Sequence, residues 1–318
     1  MSPEAREKYQ NSFARDKFLA RKARIHFTTD KEDNLKHLPL ADILVIYKMK
    51  YEEYLQCGRL QWLHAGTAGV NHFFFLELLE KVKQGMLLFT SSRGIHAKGV
   101  AGQVFAALMG LAHGLFAADR QRGRGEWNQE EVVEAKFDLR GKILGVFGFG
   151  SIGKEAARLG KFFGMKIWVL SPSKKKMAGI RWFNGQKAEG FLSGADVVLL
   201  SAPLTNETKG FLNRERLTFL KPSAIVVNVA RGDMLDEEAF YEALRRKKIR
   251  WGVVDVFGKE PLGPEHWVWK VPNVIYTPHT AGMFPGVEDL IWELFVKNLK
   301  RHLAGRPLLN RVDIDKGY

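Results

Sequence analysis

Cysteine is nearly absent from this 318-residue chain, which contains only Cys57. An internal disulfide framework is excluded, a composition that suits a reducing compartment. Cys57 lies in QCGRL without a nearby histidine signature, so it reads as an inert thiol. No apolar run reaches the roughly 20 residues of a membrane helix. The opening MSPEAREKYQ is not a signal peptide, and the expected location is cytoplasmic. There is no GxSxG for a Ser-His-acid hydrolase, no internal repeat and no metal-ligand motif. What remains, 46% apolar and 26% charged residues, is the composition of a soluble globular protein long enough for two domains.

Acidic residues are short against basic ones, 35 to 49, for a formal charge of +14. Such a field suits nucleic acid or, equally, small anionic cofactors and acids. A charge-rich surface of a heat-adapted protein is a blander reading. The basic clusters are dispersed at Ala14–Arg24, Arg120–Arg124, Lys174–Lys176 and Arg245–Arg250, and no DNA- or RNA-binding motif accompanies them. The expected partners are therefore small acids, with no nucleic acid and no membrane.

Residues 145 to 171 read GVFGFGSIGKEAARLGKFFGMKIWVLS. Gly148, Gly150 and Gly153 form GxGxxG between the apolar run Lys142–Phe147 and a helical stretch leading to a second strand, Met165–Leu170. The first glycine permits a tight turn, the second close approach of a pyrophosphate, and the third close helix–strand packing. Alone the pattern is weak; between strand and helix it marks a dinucleotide site.

Before it, the charged stretch to about Arg24 has helical spacing. Short β-like runs follow at Ile25–Thr28, Ile43–Tyr47, Leu60–His64 and Leu87–Phe89, with helical segments at Tyr51–Gln56 and Phe73–Gln84. Ala97–Arg120 reads as one long apolar helix and QRGRGEW after it as a linker. Strands are expected at Lys142–Phe147, Lys166–Leu170, Val197–Ser201, Ala224–Val229, Trp251–Val256 and Val274–Thr277. Alternating strands and helices imply a parallel sheet covered on both faces. The last helix, about Gly286–Ala304, is amphipathic and could return to the first domain.

Five ordered motifs then resemble the D-isomer-specific 2-hydroxyacid dehydrogenase family: GTAGVNHF (66–73), FLSGADVVLLSAPLTNETKGFLN (191–213), LKPSAIVVNVARGDMLDEEAF (220–240), VDVFGKEPL (254–262) and WKVPNVIYTPHTAG (269–282). The resemblance runs from about Leu40 to the end. It implies an α/β fold: a Rossmann nucleotide-binding domain, residues 121–282, inserted into a smaller flavodoxin-like substrate domain, residues 1–120 and 283–318. The site would lie in the cleft between them.

The activity so implied, hydride transfer between NAD(P)H and a 2-oxo acid, needs a carboxylate anchor and a proton donor. Arg231, in NVARG, offers a planar fork that can hold a carboxylate and polarise its neighbouring carbonyl. His279, in TPHTAG, supplies an imidazole, the side-chain type suited to giving or taking the proton. Glu260 in the EPL turn would orient that ring and stabilise its charged form. The resemblance assigns these three the catalytic roles. It also implies that Ala68, Gly69 and Val70 hold the substrate carboxylate. Arg93 and His96, in SSRGIH, are further candidate substrate contacts at the cleft mouth, with a solvated loop as the rival reading. Gly150, Ser151 and Ile152 would offer N–H groups to the pyrophosphate, and Ala202, Pro203 and Thr208 would meet the adenosine and ribose side. Val229, Ala230, Asp255 and Ala281 would lie by the nicotinamide, beside Arg231 and His279.

Departures from the family pattern matter. After the second Rossmann strand an NAD site carries an acid for the ribose diol. This chain has Ser171, Pro172, Ser173 and then Lys174, Lys175 and Lys176. NADP is therefore expected over NAD, with NAD possible. Ser201 stands where many members have histidine, and Gly102–Gln103 replaces a Glu-His pair. The usual first strand is missing, from a shortened substrate domain or a mistaken start. Met49, Trp62 and Phe284 are expected to shape the substrate pocket. A glyoxylate- or hydroxypyruvate-type reductase, working as a homodimer, is the main reading. A non-catalytic dinucleotide sensor of the same fold is its rival.

Overall fold

A computed structural model describes residues 3–28, 30–172 and 177–317. The chain divides into two compact units, Met1–His96 with Phe284–Tyr318, and Ala97–Met283. The second is thus inserted in the sequence of the first, but its border comes before the apolar helix rather than after residue 120. The reason is packing. Val100, Val104, Leu108 and Leu111 of that helix share a core with Leu144, Val146, Ala156 and Ala157 of the inserted unit. Phe105 also stacks on Phe163 at 5.4 Å.

The first unit holds a parallel sheet, β1 (Ile43–Ile46), β2 (Trp62–Ala65) and β3 (Leu88–Ser91), in that order. Among the described residues no strand precedes Ile43. The β-like run at Ile25–Thr28 instead gives its side chains to helices: Ile25 packs on a core containing Leu19 and Phe295, and Phe27 lies 5.4 Å from the Trp292 ring. Helices Pro3–Arg15 and Lys17–Lys22 open the chain, the second capped by Asp16, whose carboxylate accepts from the N–H groups of Phe18 and Leu19. The closing helix Val287–Leu303 belongs to this unit, as its amphipathic pattern implied. Tyr9 donates to Asp289 of that helix at 2.9 Å.

Trp62 does not line a pocket here. It is fully buried, stacked on Phe295 at 5.4 Å with its indole N–H donated to Thr90 at 2.8 Å, and Met49 is core as well. His64 beside it is also fully buried, 2.7 Å from the Thr90 hydroxyl, and burial pulls its pKa down to about 4.

The second unit holds seven parallel strands: β4 (Ile143–Phe147), β5 (Lys166–Leu170), β6 (Ile180–Phe183), β7 (Val197–Leu200), β8 (Ile225–Asn228), β9 (Trp251–Val254) and β10 (Val274–Tyr276). Their order is β10-β9-β8-β7-β4-β5-β6. Alternate residues feed opposite faces: Val198, Leu200 and Val226 enter one core, Val197, Leu199 and Val227 the other. Burial on both sides explains the unbroken apolar strands. Strand β6 was not legible in the sequence, since IRWF carries an arginine; Arg181 lies over the Trp168 and Phe183 rings at 4.6 and 5.0 Å.

The long helix is in fact two, Ala97–Ala112 and Leu115–Arg124, bent by 66°. Gly114 between them has φ +72°, and a Cβ there would sit 2.8 Å from the Val132 carbonyl. Of the expected linker QRGRGEW, Gln121–Arg124 continue this helix, and it stops at Gly125, φ +68°. Among the described residues no single helix is long and apolar enough to cross a membrane.

Candidate active site

Strand β4 has β5 on one side and β7 on the other, so strand order reverses at its carboxyl end, where doubly wound sheets bind ligands. The turn there is built by close approach. Gly148 has φ +89°, and a Cβ would lie 2.4 Å from Ala202 Cα; one on Gly153 would lie 2.3 Å from the Gly148 carbonyl. A Cβ on Gly150 would meet nothing within 4 Å, and no side chain caps the helix Ser151–Phe162 that it begins. Uncapped N–H groups opening onto free space fit a diphosphate. Ser201, in doubt from its sequence, braces this turn by donating its hydroxyl to the Gly148 carbonyl at 2.9 Å.

The neighbouring positions divide. Ala202, Val229, Ala230 and Ala281 are buried at strand ends, beside Pro203. The Thr208 hydroxyl donates to the Pro203 carbonyl at 2.6 Å and accepts from the Thr205 N–H at 2.8 Å, which fastens its own loop. Ser171 directly follows β5, 7% exposed, with no acid at that position. Ser173, Lys174, Lys175 and Lys176 lie outside the described residues.

Three adjacent strand ends carry the candidate catalytic residues. After β8, fully buried Asn228 accepts from the Ala230 N–H at 3.1 Å and donates to the Arg231 carbonyl at 3.0 Å. This folds the backbone back and turns Arg231 out of the sheet. Gly232 lets the loop press against Phe257; a Cβ would come 1.9 Å from the Phe257 carbonyl carbon. Burial lowers the Arg231 pKa from its ordinary value, while Glu260 opposes the shift electrostatically. Glu260, in the loop after β9, accepts from the Phe257 N–H at 2.8 Å and lies 2.7 Å from His279 Nδ1.

His279 follows β10 in the left-handed region, φ +56°, which a non-glycine residue holds only when its surroundings enforce it. The enforcing group is Asp255, 3% exposed. Its carboxylate accepts from Thr277 Oγ1 at 2.5 Å, Thr280 N–H at 2.9 Å and Ala281 N–H at 3.1 Å. Gln103 donates to Thr277 Oγ1 at 2.6 Å and to Asp255 at 3.3 Å. The sequence singled out Asp255 for a different contact and gave Gln103 no role, because partners 152 residues apart are invisible to spacing. With Nδ1 against Glu260 and half of the His279 side chain exposed, Nε2 can exchange a proton with a bound molecule.

Arg231, Glu260 and His279 thus meet on one sheet edge, together with the glycine turn. Ala68, Gly69, Val70 and Arg93 belong to the other unit, in the loops after β2 and β3. There Thr67 donates to the Gly69 carbonyl at 2.8 Å, Val70 is fully buried, and Asn310 donates to the Arg93 carbonyl at 2.7 Å. A cavity of about 370 Å³ lined by Tyr241, Leu244, Trp251 and Pro272 opens at the amino ends of β9 and β10, at the opposite edge from this chemistry.

The profile described as D-isomer specific 2-hydroxyacid dehydrogenase, NAD binding domain, matches residues 105–281. A glyoxylate reductase of Thermococcus litoralis is 30% identical, with 92% of this chain and 84% of that protein covered. A solved D-isomer specific 2-hydroxyacid dehydrogenase family protein from Aeromonas salmonicida superposes with a TM-score of 0.83 at 30% identity, over 97% of this chain and 96% of that one. One from Xanthobacter autotrophicus, solved with NADPH and MES, gives a TM-score of 0.75 at 26% identity, over 92% and 98%. The chain is therefore an NAD(P)-dependent dehydrogenase and belongs to the D-isomer-specific 2-hydroxyacid dehydrogenase family.

Proposed function

We propose that the chain reduces small 2-oxo acids of the glyoxylate and hydroxypyruvate type, with NADPH preferred over NADH. The observation that carries this reading is His279 held by Glu260 beside half-buried Arg231 on the edge that also bears the glycine turn. A bound reduced nicotinamide would supply the hydride. Arg231 grips the substrate carboxylate with its fork and leans on the adjacent carbonyl, drawing charge toward oxygen. His279 delivers the proton from Nε2 to that oxygen, and Glu260 stabilises the ring's charged form before transfer. Asp255 acts through His279 by fixing its turn. Ala68, Gly69, Val70 and Arg93 serve the substrate side. Gly150, Ser151 and Ile152 cradle the pyrophosphate.

Glyoxylate and hydroxypyruvate are favoured because a relative matched over 92% of this chain is named a glyoxylate reductase. NADPH is favoured by Ser171 in place of an acid and by the lysines after it. A family relative solved with NADPH agrees. Assaying a panel of 2-oxo acids with each reduced cofactor by absorbance tests both points. Higher kcat/KM for glyoxylate or hydroxypyruvate with NADPH is expected; equal values or an NADH preference defeat the cofactor choice, and no turnover of any 2-oxo acid defeats the reaction. A homodimer is proposed on Leu115, Trp127 and Val133, which are 61, 96 and 55% exposed on the inserted unit. Light scattering giving a monomer mass overturns it.

A further inference from the structure

A second constellation, in the first unit and with no part in the reaction above, is formed by His26, Asp33 and His37. Asp33 and His37 stand four residues apart on the helix Lys31–His37, so their side chains leave on the same face. His26 reaches them from the chain preceding the helix. His26 Nε2 is 2.8 Å from one carboxylate oxygen of Asp33, while His37 Nδ1 is 2.8 Å from the Asp33 backbone carbonyl and 3.4 Å from the other carboxylate oxygen. The two imidazoles stack at 3.6 Å with planes 11° apart. One potential ligand atom from each residue lies within 4.8 Å of the others. The side chains are 42, 37 and 41% exposed, so ions and water have access.

A hydrogen-bonded surface trio explains the distances but not the chemistry collected. Two imidazoles and one carboxylate are the donors of tetrahedral zinc sites, in which bonds of about 2.0–2.2 Å put ligand atoms roughly 3.3–3.5 Å apart. Of the two separations from the Asp33 carboxylate, 3.4 Å falls within that range and 2.8 Å lies below it, a hydrogen-bond distance that an ion would widen. Binding an ion requires the stacked rings to turn apart and His37 Nδ1 to leave the Asp33 carbonyl, movements that side chains this exposed can make. Nitrogen donors select zinc, nickel, cobalt or copper(II) over magnesium and calcium, which prefer oxygen.

We propose that His26, Asp33 and His37 form a surface site for one divalent transition ion, zinc being the type, with water completing the shell. Bound there, the ion ties the chain around His26 to the following helix and stabilises this unit by mass action. It takes no part in hydride transfer.

The test uses untagged, chelator-treated full-length protein and calorimetric zinc titration of wild type, H26Q/H37Q and the single variant H37Q. Wild type should take up one zinc ion per chain that H26Q/H37Q does not, and H37Q should bind that ion about tenfold or more weaker. Zinc should raise the Tm of wild type more than that of either variant, magnesium should not substitute, and kcat should be the same in all three. The proposal is overturned if wild type and H37Q bind zinc with equal number and affinity, or if magnesium raises Tm as zinc does. H37Q, a single exposed change, keeps the result decisive should the double variant fold poorly.

Discussion

The two units handle histidine in opposite ways. In the inserted unit His279 is half exposed, held in a left-handed backbone conformation and bound to a carboxylate. In the first unit His64 is fully buried, contacts only hydroxyls at the ring nitrogens described, and has its pKa pushed down to about 4. One site keeps a proton exchangeable; the other denies the ring its charge. The residue type therefore says nothing about role until its partners and exposure are known.

The sharpest way to break this contrast is His279→Ala. It should lower kcat about 10²–10⁴-fold in steady-state assays, the usual worth of a positioned acid or base, while circular dichroism is unchanged. A rate within a factor of three of wild type would remove His279 from the chemistry.

Acid should act on the other histidine. His64 is neutral when folded and charges freely when unfolded, so the unfolded chain binds the extra proton between pH 6.5 and 4. Stability from this source is intact above pH 6.5, falls as pH drops, and stops falling below pH 4. The loss should be on the order of 3 kcal/mol, read by urea unfolding across that range. A flat profile in wild type would show that His64 is not held neutral.

Gly148→Ala comes next. The position combines φ +89° with a 2.4 Å approach to Ala202, so strain of about 1–3 kcal/mol should weaken dinucleotide binding on the order of 10–100-fold, with little effect on the first unit. Fluorescence titration with NADPH and NADH measures it. The smallest effect is expected from Thr208→Val, which removes hydrogen bonds to Pro203 and Thr205 worth about 1 kcal/mol. A slight fall in Tm and a few-fold rise in cofactor KM should follow. A large rise in KM without loss of Tm would mean that the hydroxyl serves the cofactor directly.

Legibility differed between the units for a physical reason. The inserted unit's strands are buried on both faces and read as plain apolar runs, so six of its seven were found. The edge strand Ile180–Phe183, with Arg181 lying on aromatic rings, was not. The first unit offered shorter and more polar runs. Ile25–Thr28 has strand composition, yet its apolar side chains are absorbed by helices. Trp62 looked like a pocket residue because nothing local reveals that Phe295 stacks on it.

From the sequence alone came the doubly wound sheet and the glycine turn, which depend on periodicity and on residues close in the chain, and the candidacy of Arg231, Glu260 and His279, which came from the resemblance of ordered motifs. Tertiary structure alone decided that helix Ala97–Ala112 packs with the inserted unit, that Gln103 and Asp255 fasten the turn under His279, and that His26 meets His37. Those outcomes depend on packing and hydrogen bonds between groups whose separation along the chain carries no trace of their distance in space.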